Sequence, residues 1–518
     1  MVLRSPMSDL DVPDIPLHAF ILAGVDGRAD RPALIDGPSG RTVTYGELRQ
    51  RVDAFAAGLA ARGLEPGEVV GIFSPNLPEY AIAFHGIARA GGTVTTVNPT
   101  ATAEELTRQL SDAGARFLLT APPMADTAAA AADQAGVEHV FVFGEAEGLT
   151  PAAELFADPS NAPDADIDPA EHVVALPFSS GTTGLPKGVM LTHRNLVANV
   201  LQSEAFLETT EHDVVIGVLP FFHIYGMTVI MNLALHNGAT VITMPRFDLE
   251  QFLALHQEHG VTQCYAVPPI VLALAKHPAV DQFDLSSLRF VMSGAAPLSA
   301  ELSEAAAGRL GCTVMQGYGM TETSPVTHVS PLERNKPGTV GVLLPNTEAR
   351  IVDLDTERDA EPGGRGELCV RGPQVMQGYL NNQAATDAMI DREGWLHTGD
   401  VAIVDDEGYY TIVDRVKELI KYKGYQVAPA ELEALLLEHP QISDAAVLGR
   451  PDEDAGEIPI AFVVAVGLEP DAVLAFVADR VAPYKKLRGV EFVDEIPKSA
   501  SGKILRRELA ERVGERLR

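Results

Sequence analysis

Between residues 40 and 300 the chain alternates short apolar runs with segments of helical periodicity, and this alternation restricts the possible folds more than any other feature. Residues 69–73, 117–119, 139–143, 214–219, 241–244 and 290–292 read as buried strands. Residues 45–61, 78–90, 249–259 and 300–310 carry apolar side chains at helical spacing. Strands separated by helices must cross over to pair in parallel, which predicts an α/β fold of parallel-rich sheets covered by helices. After Gly338 the texture changes to short strands and turns at 348–352, 366–370, 401–404 and 409–413. Asp405-Asp406-Glu407-Gly408 marks a hairpin there, and together these predict a small β-barrel-like part.

From Pro429 onward a helix at 430–438, strands near 445–448 and 460–466 and a helix near 472–480 predict a small α+β unit. A chain of 518 residues exceeds what one core organises. The charged stretch Asp414–Lys417 is the expected boundary, dividing 1–413 from 418–518. Residues 151–171, rich in Pro, Ala and Asp, predict an exposed connection.

That connection leads through an apolar run, 173–178, which reads as one buried strand, into Ser179-Ser180-Gly181-Thr182-Thr183-Gly184-Leu185-Pro186-Lys187-Gly188. Glycines let backbone N–H groups approach an anion, hydroxyls add donors, and the lysine adds charge, so the loop suits a polyphosphate. It is not a Walker A loop, because Pro186 precedes Lys187 and Gly188 follows it. On composition alone it could equally be a surface linker.

Charge narrows the partners. A net charge of −32 disfavours nucleic acid, and no apolar run is long enough for membrane insertion. The N-terminus lacks the apolar core of a signal peptide, so a cytoplasmic location is expected. Cys264, Cys312 and Cys369 are far apart, without metal-ligand spacing, and read as small buried apolar residues. Only ten lysines occur; one lies in the Ser/Thr/Gly loop, three within Lys417–Lys423 and four within Lys485–Lys503. Clustering of so scarce a residue points to places that need a compact ammonium, although a solvated basic patch would look the same.

Further segments carry chemistry. Gln316-Gly317-Tyr318-Gly319-Met320-Thr321-Glu322-Thr323 follows an apolar segment and offers close backbone approach, an aromatic face and a carboxylate suited to Mg²⁺. Gly394-Trp395-Leu396-His397-Thr398-Gly399-Asp400 ends in a carboxylate suited to a ribose diol, or is a capped turn around a core tryptophan. Phe221-Phe222-His223-Ile224-Tyr225-Gly226 could wall an apolar pocket or be structural. Asp414–Gln426 is dense in cations, and Pro497–Arg507 is a second flexible loop with a lysine, 320 residues beyond the first.

In this order and spacing the segments resemble the adenylate-forming enzymes, a superfamily of acyl- and aryl-CoA synthetases, luciferases and peptide-synthetase adenylation domains. The resemblance covers essentially the whole chain. Phe222–Tyr225, Gln316–Glu322 and Tyr422–Glu433 look most like 4-coumarate–CoA ligases. It implies a two-step reaction in which a carboxylic acid and MgATP give an acyl-adenylate, after which a small mobile C-terminal domain turns about a hinge at 414–417 and CoA displaces AMP. The substrates implied are a small carboxylic acid, ATP and CoA, with Mg²⁺.

The residue roles follow the same resemblance. Ser179, Ser180, Gly181, Thr182, Thr183 and Lys187 would hold phosphates, with Gln316, Gly317 and Thr321 on the nucleotide side and Glu322 on the metal. Asp400 and Arg415 would hold the ribose, and Lys417 the hinge. Lys503 would bridge carboxylate and α-phosphate; Lys421 and Gln426 would serve the nucleotide side and the second step; Lys423, Gly424 and Arg246 would meet CoA. Arg246 stands where the plant ligases have lysine. His223, Tyr225, Ala295, Gly317, Pro325 and Val329 would line the acyl pocket, with Val229, Thr327, His328 and Val329 departing from the plant pattern. A hydroxycinnamate is the expected acid and a medium- or long-chain fatty acid the alternative. A luciferase-like oxygenase and a non-catalytic scaffold are disfavoured, the latter by joint retention of Lys187, Glu322 and Lys503.

Overall fold

A computed structural model describes residues 2–179, 186–423, 425–452, 455–499 and 502–516. Ser180, Gly181, Thr182, Thr183 and Gly424, all expected at the site, lie outside the described residues.

Among the described residues the strands form four sheets, and the two large ones are parallel through their middles, as the alternation requires. In one, Thr93–Val97, Val69–Phe73, Ala115–Thr120 and His139–Val142 pair in parallel. In the other, Pro32–Asp36, Thr240–Thr243, Val214–Gly217, Gln263–Ala266, Phe290–Ser293 and Thr313–Gly319 do so. Helices cover both sheets, and one continuous apolar core, including Phe55, Phe84, Phe117, Phe221, Phe252 and Phe290, joins them.

The helices are bounded by local chemistry. Tyr45–Ala61 begins at a capping box in which Thr44 accepts from the Glu47 N–H and Glu47 accepts from the Thr44 N–H. Asp248 and Ser299 cap Leu249–His259 and Ala300–Leu310, which end on Gly260 and Gly311 in the left-handed conformation.

The expected barrel-like part is an antiparallel five-stranded sheet. Its order is Leu3–Arg4, Glu348–Val352, Gly366–Arg371, Leu396–Val404 and Tyr410–Arg415, with the turn Asp405–Gly408 joining the last two. The fourth sheet, built on the hairpin partners Ile442–Asp452 and Gly456–Ala465, has an apolar core of its own under the helices Pro429–Leu437 and Pro470–Ala478.

Three expectations need correction. The run 173–178 is not one strand: Pro177 has no N–H to donate, and the run divides into Val173–Ala175 and Phe178–Ser179. Residues 151–171 are not uniformly exposed; the turn Ala152–Leu155 buries Ala152 and Leu155. A Cβ on Gly58 would stand 1.6 Å from the Leu155 carbonyl oxygen, which explains a glycine inside the helix Tyr45–Ala61. The charged stretch 414–417 is not a clean break either, since the strand Tyr410–Arg415 runs through Asp414, which is buried.

Candidate functional site

The Ser/Thr/Gly loop is closed by the sheet. Ser179 and Lys187, the residues that bound it, are antiparallel partners. Ser179 Oγ donates to Glu322 Oε1 at 2.9 Å, and Tyr379 OH donates to the same oxygen at 2.8 Å. The Lys187 ammonium lies 4.4 Å from the centre of the Tyr379 ring. One carboxylate therefore gathers both ends of the loop. Tyr379 was missed from sequence, because a single tyrosine after Gly378 shows no pattern; only its pairing onto Val189 brings it here.

Glu322 sits in a short helical turn, Thr321–Thr323, directly after the strand Thr313–Gly319 that carries Gln316 and Gly317. It is 5% exposed, and its Oε2 accepts no hydrogen bond among the described residues. A carboxylate oxygen with unused lone pairs, on a side chain otherwise buried and held, is the donor a hard divalent cation takes. Gln316 is turned the other way: its Oε1 accepts from the Leu298 N–H at 3.1 Å, so it fixes the neighbouring loop.

Asp400 and Arg415 are cross-strand partners, with Arg415 Nε 3.4 Å from Asp400 Oδ1. Tyr318 OH donates to Asp400 Oδ2 at 2.5 Å. Burial raises the Asp400 carboxyl above its ordinary range, while Arg415 and Tyr318 oppose that shift. Trp395 packs as a core tryptophan under the Arg371 guanidinium, 4.4 Å from its ring, as the packing reading of that segment expects.

Lys503 arrives from the far end of the chain. Its ammonium is lowered by burial and by repulsion from Arg415, against attraction from Asp400, Glu322 and Glu418. Glu322 and Asp400 are the carboxylates described above, so segments far apart in sequence share one electrostatic neighbourhood. The docking is steric as well: a Cβ on Gly502, whose φ is +79°, would lie 3.3 Å from Val267 Cβ.

The apolar half of the site is built on strand ends. Tyr225 OH donates to the Met292 carbonyl at 3.0 Å, and its ring lies where a side chain on Gly294 would be, 3.0 Å from that Cβ. Ala295 follows with φ +69°, a strained backbone for a residue with a Cβ. Gly317 pairs with Val329, and a Cβ on Gly317 would meet Met292 Cε at 2.3 Å. Val329 and Pro325 are buried. His223 Nδ1 accepts from the Tyr225 N–H at 3.3 Å, and burial together with the Lys503 charge pushes its imidazole down to about 3. Met292 and Gly294 were not legible as pocket residues. The seven-residue π-helix Gly226–Asn232 behind Tyr225 was not expected either.

Other expected residues stand apart. Lys421 and Gln426 are partners on the hairpin of Ile420–Tyr422 and Tyr425–Val427, and Lys423 lies at its turn with φ +50°. Lys421, Lys423 and Lys417 are exposed. Among the described residues no hydrogen bond or ion pair ties Lys421 or Lys423 to Glu322 or Asp400. Arg246 is exposed beyond the strand Thr240–Thr243. Cys369 is buried as expected, but its Sγ faces His397 Nδ1 at 3.5 Å rather than an apolar neighbour.

Two family descriptions match the chain: AMP-binding enzyme over residues 23–380, and AMP-binding enzyme C-terminal domain over residues 431–503. The chain is 45% identical to 4-coumarate–CoA ligase 5 of Oryza sativa subsp. japonica, over 98% of this chain and 96% of that protein. It is 44% identical to 4-coumarate–CoA ligase 1 of Solanum tuberosum, over 99% and 97%. Among solved structures, ATP-bound MatB from Rhodopseudomonas palustris superposes with a TM-score of 0.88 at 30% identity, covering 96% of this chain and 99% of that one. The anthranilate CoA ligase AuaEII in complex with anthranoyl-AMP gives 0.90 at 25% identity, covering 98% and 99%.

Proposed function

Since the chain belongs to the AMP-binding enzyme family, we propose that it is an AMP-forming acid–thiol ligase that joins a hydroxycinnamate to CoA through an acyl-adenylate. The observation that carries the reading is the seating of the Gly502–Lys503 loop against Val267, where the lysine feels the charges of Asp400 and Glu322. An acid and ATP are both anionic, and the protein as a whole carries −32, so a cation must be delivered locally to the point where they meet. Lys503 does this: its ammonium neutralises the acid as it attacks and the α-phosphate as charge develops there. Arg415 and Asp400 orient the ribose, and Lys187 with the Ser179 end of the loop holds the departing phosphates.

Mg²⁺ fits the donor left open on Glu322, Oε2, and when bound it would neutralise phosphate charge. Ser179 and Tyr379 keep that carboxylate oriented by occupying Oε1. The acid's body would lie beside Tyr225, Gly317 and Val329, where Met292 Cε occupies the space a side chain on Gly317 would need. His223, neutral at working pH, adds no charge, which favours a monocarboxylate over a diacid.

We assign 1–413 to adenylation, 414–417 to a hinge and 418–518 to a mobile unit that exchanges Lys503 for the Lys423 face when CoA reacts. The exposed positions of Lys421, Lys423 and Gly502's seat against Val267 support a first-step arrangement. With no helix among the described residues long and apolar enough to cross a membrane, a cytoplasmic site of action completes the reading. Pyrophosphate release across 4-coumarate, cinnamate, benzoate and medium- and long-chain fatty acids tests it. Turnover highest with the hydroxycinnamates is expected, and preference for fatty acids would overturn the substrate.

A further inference from the structure

On the face of the antiparallel sheet, Glu367 and Cys369 project from one strand toward His397 on the next, where Cys369 and His397 are register partners. His397 Nδ1 lies 3.5 Å from Cys369 Sγ and 3.1 Å from Glu367 Oε2. The three donor atoms all fall within 4.8 Å of one another. In a tetrahedral zinc site with bonds of about 2.3 Å to sulfur and about 2.0 Å to nitrogen and oxygen, the S···N and N···O edges come to about 3.5 Å and about 3.3 Å. The observed S···N separation equals its edge, and the N···O separation of 3.1 Å falls slightly inside its own.

We propose that Glu367, Cys369 and His397 form a binding site for a thiophilic divalent cation, zinc being the best match. Thiolate, carboxylate and neutral imidazole balance a dication, and the donor set of sulfur, nitrogen and oxygen selects zinc over magnesium or calcium. Binding forms three metal–ligand bonds and releases the thiol proton, with any proton on Nδ1, to solvent. Behind the imidazole, Asp391 Oδ2 lies 3.8 Å from Nε2, beyond a hydrogen bond but near enough to close into the carboxylate–histidine arrangement that orients a ligating ring. Cys369 is 1% exposed, but His397 and Glu367 are half-buried, leaving a path for an ion and one coordination position for water. Glu367 Oε1 meanwhile accepts from the Gly399 N–H at 3.0 Å, so the site is tied to the turn that carries Asp400. The proposal does not depend on the ligase reading.

The test is titration of the full chain with Co²⁺ and Zn²⁺. We expect a sulfur-to-cobalt charge-transfer band saturating at one equivalent, bleached by zinc. Cys369→Ser should abolish the band while leaving the far-ultraviolet circular dichroism unchanged, and Asp391→Asn should weaken affinity about tenfold or more. Absence of a thiolate band in the wild-type chain, or an undiminished band in folded Cys369→Ser, would overturn the site.

Discussion

At the scale of single residues, the proposed chemistry divides between a group that acts and groups that aim. Lys503→Ala should abolish acid-dependent ATP–pyrophosphate exchange, yet still convert supplied acyl-adenylate to thioester; loss of both half-reactions would remove the lysine from its assigned step. Tyr379→Phe keeps the ring beneath Lys187 but removes the hydrogen bond to Glu322. Such bonds to charged groups contribute about 1.5–3 kcal/mol, so kcat/KM for MgATP should fall about tenfold or more. An unchanged value would make Tyr379 mere packing. Lys187, Glu322, Asp400 and Lys503 were legible because each stands in a dense local pattern of glycine, hydroxyl or charge. Tyr379, Met292 and Gly294 were not, because their contribution comes from pairing and close approach between distant strands.

At the scale of elements, sequence predicts what local chemistry decides. The helices Tyr45–Ala61, Leu249–His259 and Ala300–Leu310 begin and end as expected, since caps and terminal glycines are written into the neighbouring residues. The strands Ile442–Asp452 and Gly456–Ala465 run longer than their apolar cores suggested, because pairing with each other extends them through polar ends. The π-helix Gly226–Asn232 has no local signature at all. The hairpin carrying Lys421, Lys423 and Gln426 belongs, in our reading, to the second step. Lys423→Ala should therefore adenylate at the wild-type rate while raising the KM for CoA, and a matching loss in pyrophosphate exchange would refute the exchange of faces.

For the whole molecule, buried histidines set a lower limit on pH. His85, His193, His256 and His328 are 0–1% exposed, and burial pushes their imidazoles down to about 3 or about 4. The unfolded chain takes up these protons near pH 6.5 and the folded chain does not, so stability is full above that pH and is lost as pH falls toward the folded values. By about pH 5 the linkage amounts to an upper limit of about 2 kcal/mol per histidine. The calorimetric midpoint should drop between about pH 7 and about pH 5, and a flat profile would contradict the burial.

Gly502 is seated so that a Cβ added to it would lie 3.3 Å from Val267 Cβ and 3.7 Å from Pro269 Cδ. The seat registers one position of the loop by shape, and the attraction of the neighbouring Lys503 to Asp400, Glu322 and Glu418 adds to the hold. In the exchange of faces proposed above, this shaped seat is the surface that has to part once per product.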